Sequence, residues 1–106
     1  MLIRKREISS IEVEAPKGGE GKLFRWDYIK EHIPCSKLST FSYLELEPGA
    51  SIGKHQHTDN FEVYYFLEGS GRAFDDDNEC LTEAGDMLIT EYGSSHALIN
   101  SVVIRF

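Results

Sequence analysis

Three of the four histidines in this 106-residue chain, His55, His57 and His96, carry spacings suited to holding a metal ion. His55 and His57 stand two apart, so on an extended strand both imidazoles point to the same face. Glu62 follows five residues after His57. With Thr58-Asp59-Asn60-Phe61 as a turn, the strand that begins at Glu62 returns beside the first, and its carboxylate meets the two imidazoles. His96, on a later strand, can complete the set. Three neutral imidazoles and one carboxylate suit a borderline divalent metal, whether Mn, Fe, Ni, Zn, Co or Cu. Imidazole sites are permissive among these ions, so supply decides which one binds. Four protein ligands on an octahedral ion leave two positions for water, substrate or oxygen. His32 has no partner at ligand spacing and reads as a surface residue.

The elements that must position these groups are short and extended. From residue 40 onward the chain runs TFSYLELE, FEVYYFLE, GRAF, CLTEA, DMLITEY and ALINSVVIRF, each closed by Gly, Pro, Asn or Asp. Runs rich in Val, Ile, Tyr, Phe and Thr with turn signals every eight to sixteen residues predict an antiparallel barrel or sandwich. Any helix is confined to the first third. Residues 1–15 read as a short strand or edge segment, Pro16–Gly21 as a turn, and residues 22–34 as either a strand or one or two helical turns ended by Pro34. Asp75-Asp76-Asp77-Asn78 reads as a hairpin tip; it lacks the alternating oxygen ligands of a calcium loop.

Read onward from Gly49, the sequence gives G-x5-H-x-H-x4-E-x6-G through His55, His57 and Glu62 to Gly69. After 15 residues Gly85 opens G-x5-E-x-G-x2-H-x3-N, through Glu91, Gly93 and His96 to Asn100. The two strings resemble the paired motifs of the cupin superfamily, with Glu91 at the position where the family pattern has proline. The resemblance covers residues 49–100, about half of the chain. It implies an all-β fold, a double-stranded β-helix or jelly-roll barrel with an N-terminal strand and loop leader, and a metal on His55, His57, Glu62 and His96. The motif glycines fall where strands must turn sharply, and glycine accepts positive φ without penalty. Glu91 lacks proline's lock on φ and loosens the corner before Gly93. As a fifth residue before His96, across a Gly turn, it is not expected to be a ligand.

Alternation places Tyr64 and Phe66 on the face of Glu62, and Leu98 and Asn100 on the face of His96. Tyr64 reads as a packing residue with a satisfied hydroxyl, or else as a hydrogen-bond donor or proton carrier beside the open positions. Phe66 and Leu98 read as barrel filling, and Asn100 as tying its own turn. Trp26, with Phe24 and Tyr28 at spacing two, forms an aromatic stripe, a packing face over the barrel or at a dimer contact.

The length fits one domain over residues 1–106, with a leader over 1–40 and a motif-bearing core over 41–106. The chain carries 11 Lys plus Arg against 18 Asp plus Glu, a formal charge of -7, which argues against a nucleic-acid or anionic-membrane partner. No apolar run approaches a membrane span and the first residues carry charge where a signal peptide is apolar, so the expected compartment is the cytoplasm. Cys35 and Cys80 read as reduced, partly buried thiols. The resemblance implies dioxygenase, isomerase or lyase chemistry on a small molecule, or alternatively a module that binds a metal or metabolite without turnover. It also implies a homodimer, with Val102-Val103-Ile104 or the leader around Phe24 covering a strand edge that would otherwise be a liability.

Overall fold

The computed structural model describes residues 2–29, 38 and 40–100, and the backbone of 104–105. His32, Pro34 and Cys35 lie outside these residues. Among the described residues ten strands follow in order: β1 (Ile11–Glu14), β2 (Lys22–Asp27), β3 (Ser42–Leu46), β4 (Ser51–Gln56), β5 (Glu62–Tyr65), β6 (Gly71–Asp75), β7 (Asn78–Thr82), β8 (Met87–Thr90), β9 (Ser95–Asn100) and β10 (Ile104–Arg105). They form antiparallel sheets in the orders β1-β2-β3-β10, β4-β9-β6-β7 and β5-β8. Residues 22–34 therefore resolve to a strand over their first part. The leader joins β3 as β1 and β2, and the chain end adds β10 to the other side of β3. This is the expected all-β jelly roll, built from three facing sheets.

Inward-facing residues of the sheets meet in one apolar cluster. Leu23 of β2 and Leu46 of β3 pack against Ile52, Ala73 and Leu98 of the second sheet, with Ala50 and Phe66 beside them. Leu46 and Leu98 are fully buried, and each such side chain contributes about 1.5–3 kcal/mol of burial. Phe66 and Leu98 thus fill the interior, as alternation predicts.

Asn100 differs from expectation. Its Nδ2 donates to the carbonyls of Leu46 (2.6 Å) and Glu47 (2.9 Å), so it ties the end of β3 rather than its own turn. Its backbone carbonyl accepts from Gly49 N and its N–H donates to Ala50 O. The reason is register: β9 ends opposite the Glu47–Ala50 turn, which brings the Asn100 amide within reach of the carbonyls at the end of β3.

The hairpin tip holds as predicted, with β6 and β7 paired from Asp75↔Asn78 and Asp76 at φ 53°. Cys80 is exposed on β7 rather than partly buried, because among the described residues β7 pairs only with β6 and is the edge of its sheet. Trp26 lies beside Tyr43 on the outer face of the first sheet, and Lys5 Nζ sits 4.3 Å and 4.0 Å from the two ring centres. The aromatic stripe is a packing face, pinned by a cation over its rings.

One close approach was invisible in the motif strings. A Cβ on Gly53 would collide with the Lys17 carbonyl, and one on Gly19 would collide with the Ser51 carbonyl. The β1–β2 loop lies backbone to backbone on β4, which only glycine at both positions permits.

Candidate metal centre

Two cross-strand pairs build the centre. His55 of β4 stands directly opposite His96 of β9, so both rings leave the same face of the second sheet. Glu62 of β5 stands opposite Thr90 of β8 on the facing sheet. His57, just past β4, is held by two backbone bonds to the β8–β9 turn: its N–H donates to Ser94 O and its carbonyl accepts from Gly93 N. Gly93 has φ 82°, and Ser94 N closes the turn on Glu91 O at 3.0 Å. The corner with Glu91 at the usual proline position is therefore closed by hydrogen bonds, and Glu91 is exposed and outside the cluster.

The route of Glu62 into the site differs from expectation. The strand after the 58–61 turn does not return beside β4. It crosses to the facing sheet and pairs with β8. The carboxylate still meets the imidazoles because the two sheets converge there.

The donor atoms of His55, His57, Glu62 and His96 all lie within 4.8 Å of one another. His96 Nε2 is 2.8 Å from His55 Nε2 and 3.2 Å from His57 Nε2. Glu62 Oε1 is 3.3 Å from His96 Nε2 and 3.6 Å from His57 Nε2. Each Nδ1 faces outward to an oxygen: His55 to Gly53 O (2.8 Å), His57 to Asn60 Oδ1 (2.9 Å) and His96 to Thr90 Oγ1 (2.7 Å). A carbonyl can only accept, so His55 carries its proton on Nδ1 and turns the Nε2 lone pair inward. The same tautomer in the other two rings leaves three lone pairs converging on one point.

Burial, and then the neighbouring His55 and His57, lower the His96 pKa from 6.5 to about 3, so the ring stays neutral. Glu62 Oε1 is buried without a hydrogen-bond partner among the described residues. Three inward lone pairs and an orphaned carboxylate oxygen repel one another unless a cation lies among them. The donor set therefore fits a divalent metal, and the outward Nδ1 partners are the supports that orient metal-binding histidines.

Tyr64 stacks on His96, with ring centres 4.9 Å apart and planes at 25°. Its hydroxyl is 3.4 Å from His96 Nε2. Burial, then the charge of Glu62 and a hydrogen bond to it, raise the phenol pKa well above its ordinary value. The group stays protonated at neutral pH and both packs and donates.

Gly53, Asn60 and Thr90, which orient the rings, were not singled out in sequence. Asn60 lies three residues after His57 and was legible only as a turn former. Thr90 is fully buried at a strand end, where nothing in its sequence context marks it.

Residues 42–102, more than half of the chain, match the Cupin domain family, and the chain belongs to it. It is 32% identical over 101 residues to an oxalate-binding protein of Thermotoga maritima, a match covering 95% of this chain and 84% of that one. It also superposes on the crystal structure of a predicted oxalate decarboxylase from Thermotoga maritima, with a TM-score of 0.93 and 30% identity over 100% of this chain and 94% of that one. KdgF from Halomonas sp. shares the fold, with a TM-score of 0.77 and 16% identity over 99% and 89% of the two chains.

Proposed function

We propose that the protein binds a divalent transition metal through His55, His57, Glu62 and His96 and uses it to hold a small chelating carboxylate. The convergence of three Nε2 lone pairs on an orphaned Glu62 oxygen carries this reading. The 32% identical relative named for oxalate binding supports the ligand class. The metal supplies a Lewis acid with positions left for two ligand oxygens. His96, kept neutral, and the three outward Nδ1–H bonds hold the donors in place before the ion arrives. Elemental analysis of protein purified without a His tag tests the site: wild type is expected to carry about one metal per chain, and His57→Ala and His96→Ala to carry background levels. Unchanged metal in both variants overturns it.

Turnover is the second reading, favoured by one observation: the protonated Tyr64 hydroxyl lies within reach of the site, placed to donate to a ligand on the metal. Metal-loaded protein offered oxalate and a panel of diketones, sugars and phenols separates the two. Product formation that falls with Tyr64→Phe supports an enzyme; tight binding without product supports a receptor.

A homodimer fits the outer face of β5 and β8. Val63, Tyr65, Leu67, Met87 and Ile89 are 44–56% exposed there, with Val63↔Ile89 and Tyr65↔Met87 directly paired. Two chains of charge -7 meet at least cost across an uncharged face.

A further inference from the structure

Alternation along β2 puts polar groups on the inner face of the first sheet. Leu23 pairs with Leu46, Arg25 with Leu44 and Asp27 with Ser42. Leu23 and Leu46 belong to the core, and Leu44 packs against it. Directly opposed residues share a face, so Arg25, Asp27 and Ser42 also face the interior. The outer face is accounted for separately by Trp26, Tyr43 and Lys5.

These three groups lie toward the histidine end. The Glu47–Ala50 turn, closed by Ala50 N on Glu47 O, reverses the chain between β3 and β4. β4 therefore runs from Ile52 to His55 in the same sense that β2 runs from Leu23 to Asp27. At about 3.3 Å per residue, Asp27 lies about 13 Å past Leu23 and His55 about 10 Å past Ile52, across a sheet spacing of about 10 Å.

The local chemistry is that of a prepared anion contact. The Asp27 side chain is only 2% exposed; its Oδ1 accepts from Ser42 Oγ at 2.6 Å and its Oδ2 from Arg25 Nε at 2.9 Å. Arg25 is thus fixed through its Nε. Among the described residues neither Nη has a partner, and the side chain remains 33% exposed. A guanidinium held by one edge and open at the other is pre-organised to bind a carboxylate.

We propose that Arg25, positioned by Asp27 and Ser42, contacts the outer carboxylate oxygens of the ligand that the metal holds, and so selects a short dianionic acid. This rests on the metal reading above, and the test separates the two. Wild type, Arg25→Gln, Arg25→Lys and Asp27→Asn are each assayed for metal content by elemental analysis and titrated with oxalate by calorimetry. Arg25→Gln is expected to keep its metal and to weaken oxalate about 10- to 100-fold, with a lowered melting temperature because buried Asp27 loses its cationic partner. Arg25→Lys should recover part of that loss, and raising salt should weaken wild type more than Arg25→Gln. Asp27→Asn should fall between wild type and Arg25→Gln.

Oxalate affinity within twofold of wild type in metal-loaded Arg25→Gln overturns the contact and leaves the metal reading standing. So does metal-loaded wild type that binds no oxalate. Loss of metal in both Arg25 variants makes Arg25 a structural residue and also overturns it. Wild type without metal overturns the metal reading alone; the same titrations then still read Arg25, because a guanidinium attracts the anion at weaker affinity without the ion.

Discussion

The interior between the sheets has two ends built on opposite principles. At one, Leu23, Leu46, Ile52 and Leu98 close apolar surface on itself, and the buried amide of Asn100 is paired with the carbonyls of Leu46 and Glu47. At the other, three imidazoles and Glu62 point polar atoms at one another and leave an oxygen unpaired. Both ends use the same strands, β4 and β9, separated by one irregularity in register between Ile52 and His55. The difference teaches that the sealed end provides rigidity against which the frustrated end can be held. Unfavourable lone-pair contacts persist only where the surroundings over-determine them.

Substitutions at each end test this division. Leu98→Ala is expected to cost about 2–5 kcal/mol in the metal-free protein, read by urea unfolding. A loss below 1 kcal/mol would show that the end is loosely packed. Asn100→Ala removes two hydrogen bonds, to the carbonyls of Leu46 and Glu47, and should cost about 1–3 kcal/mol by the same titration, with metal stoichiometry unchanged. If Asn100→Ala instead empties the site, the two ends are not separable. Thr90→Val removes the acceptor for His96 Nδ1 and should weaken metal binding about 10- to 100-fold in competition with a chelator; equal affinity would mean that His96 needs no orienting partner. Tyr65→Ser, on the outer face of β5, should change monomer stability by less than about 0.5 kcal/mol while shifting the mass by light scattering from dimer to monomer. A mass that does not change removes that face from the assembly.

How far these ends could be read in the sequence depended on whether the cause was local. The four clustered residues were legible because strand alternation and turn spacing are short-range properties; the same rhythm predicted an antiparallel barrel or sandwich, and the jelly roll came from the resemblance to the cupin motifs. The path of Glu62 was not, since a turn says where a chain bends but not which sheet it joins. The target of Asn100 lay 54 and 53 residues away. Arg25 and Asp27 were hidden by the stripe on the other face of their own strand: Phe24, Trp26 and Tyr28 drew the pattern, while the polar face became inner only once Leu23 was placed against Leu46. Cys80 was read as partly buried because nothing local marks β7 as a sheet edge.

Trp26 is the chain's sole tryptophan, and the ammonium of Lys5 lies against its ring. It sits between Arg25 and Asp27 in sequence, on the opposite side of the same strand. Excited at the red edge, beyond tyrosine absorption, intrinsic fluorescence therefore has a single source, whose emission reports on the posture of β2 without any added dye. A ligand that draws Arg25 inward would be visible through the back of the sheet as a change in the colour or intensity of that one chromophore.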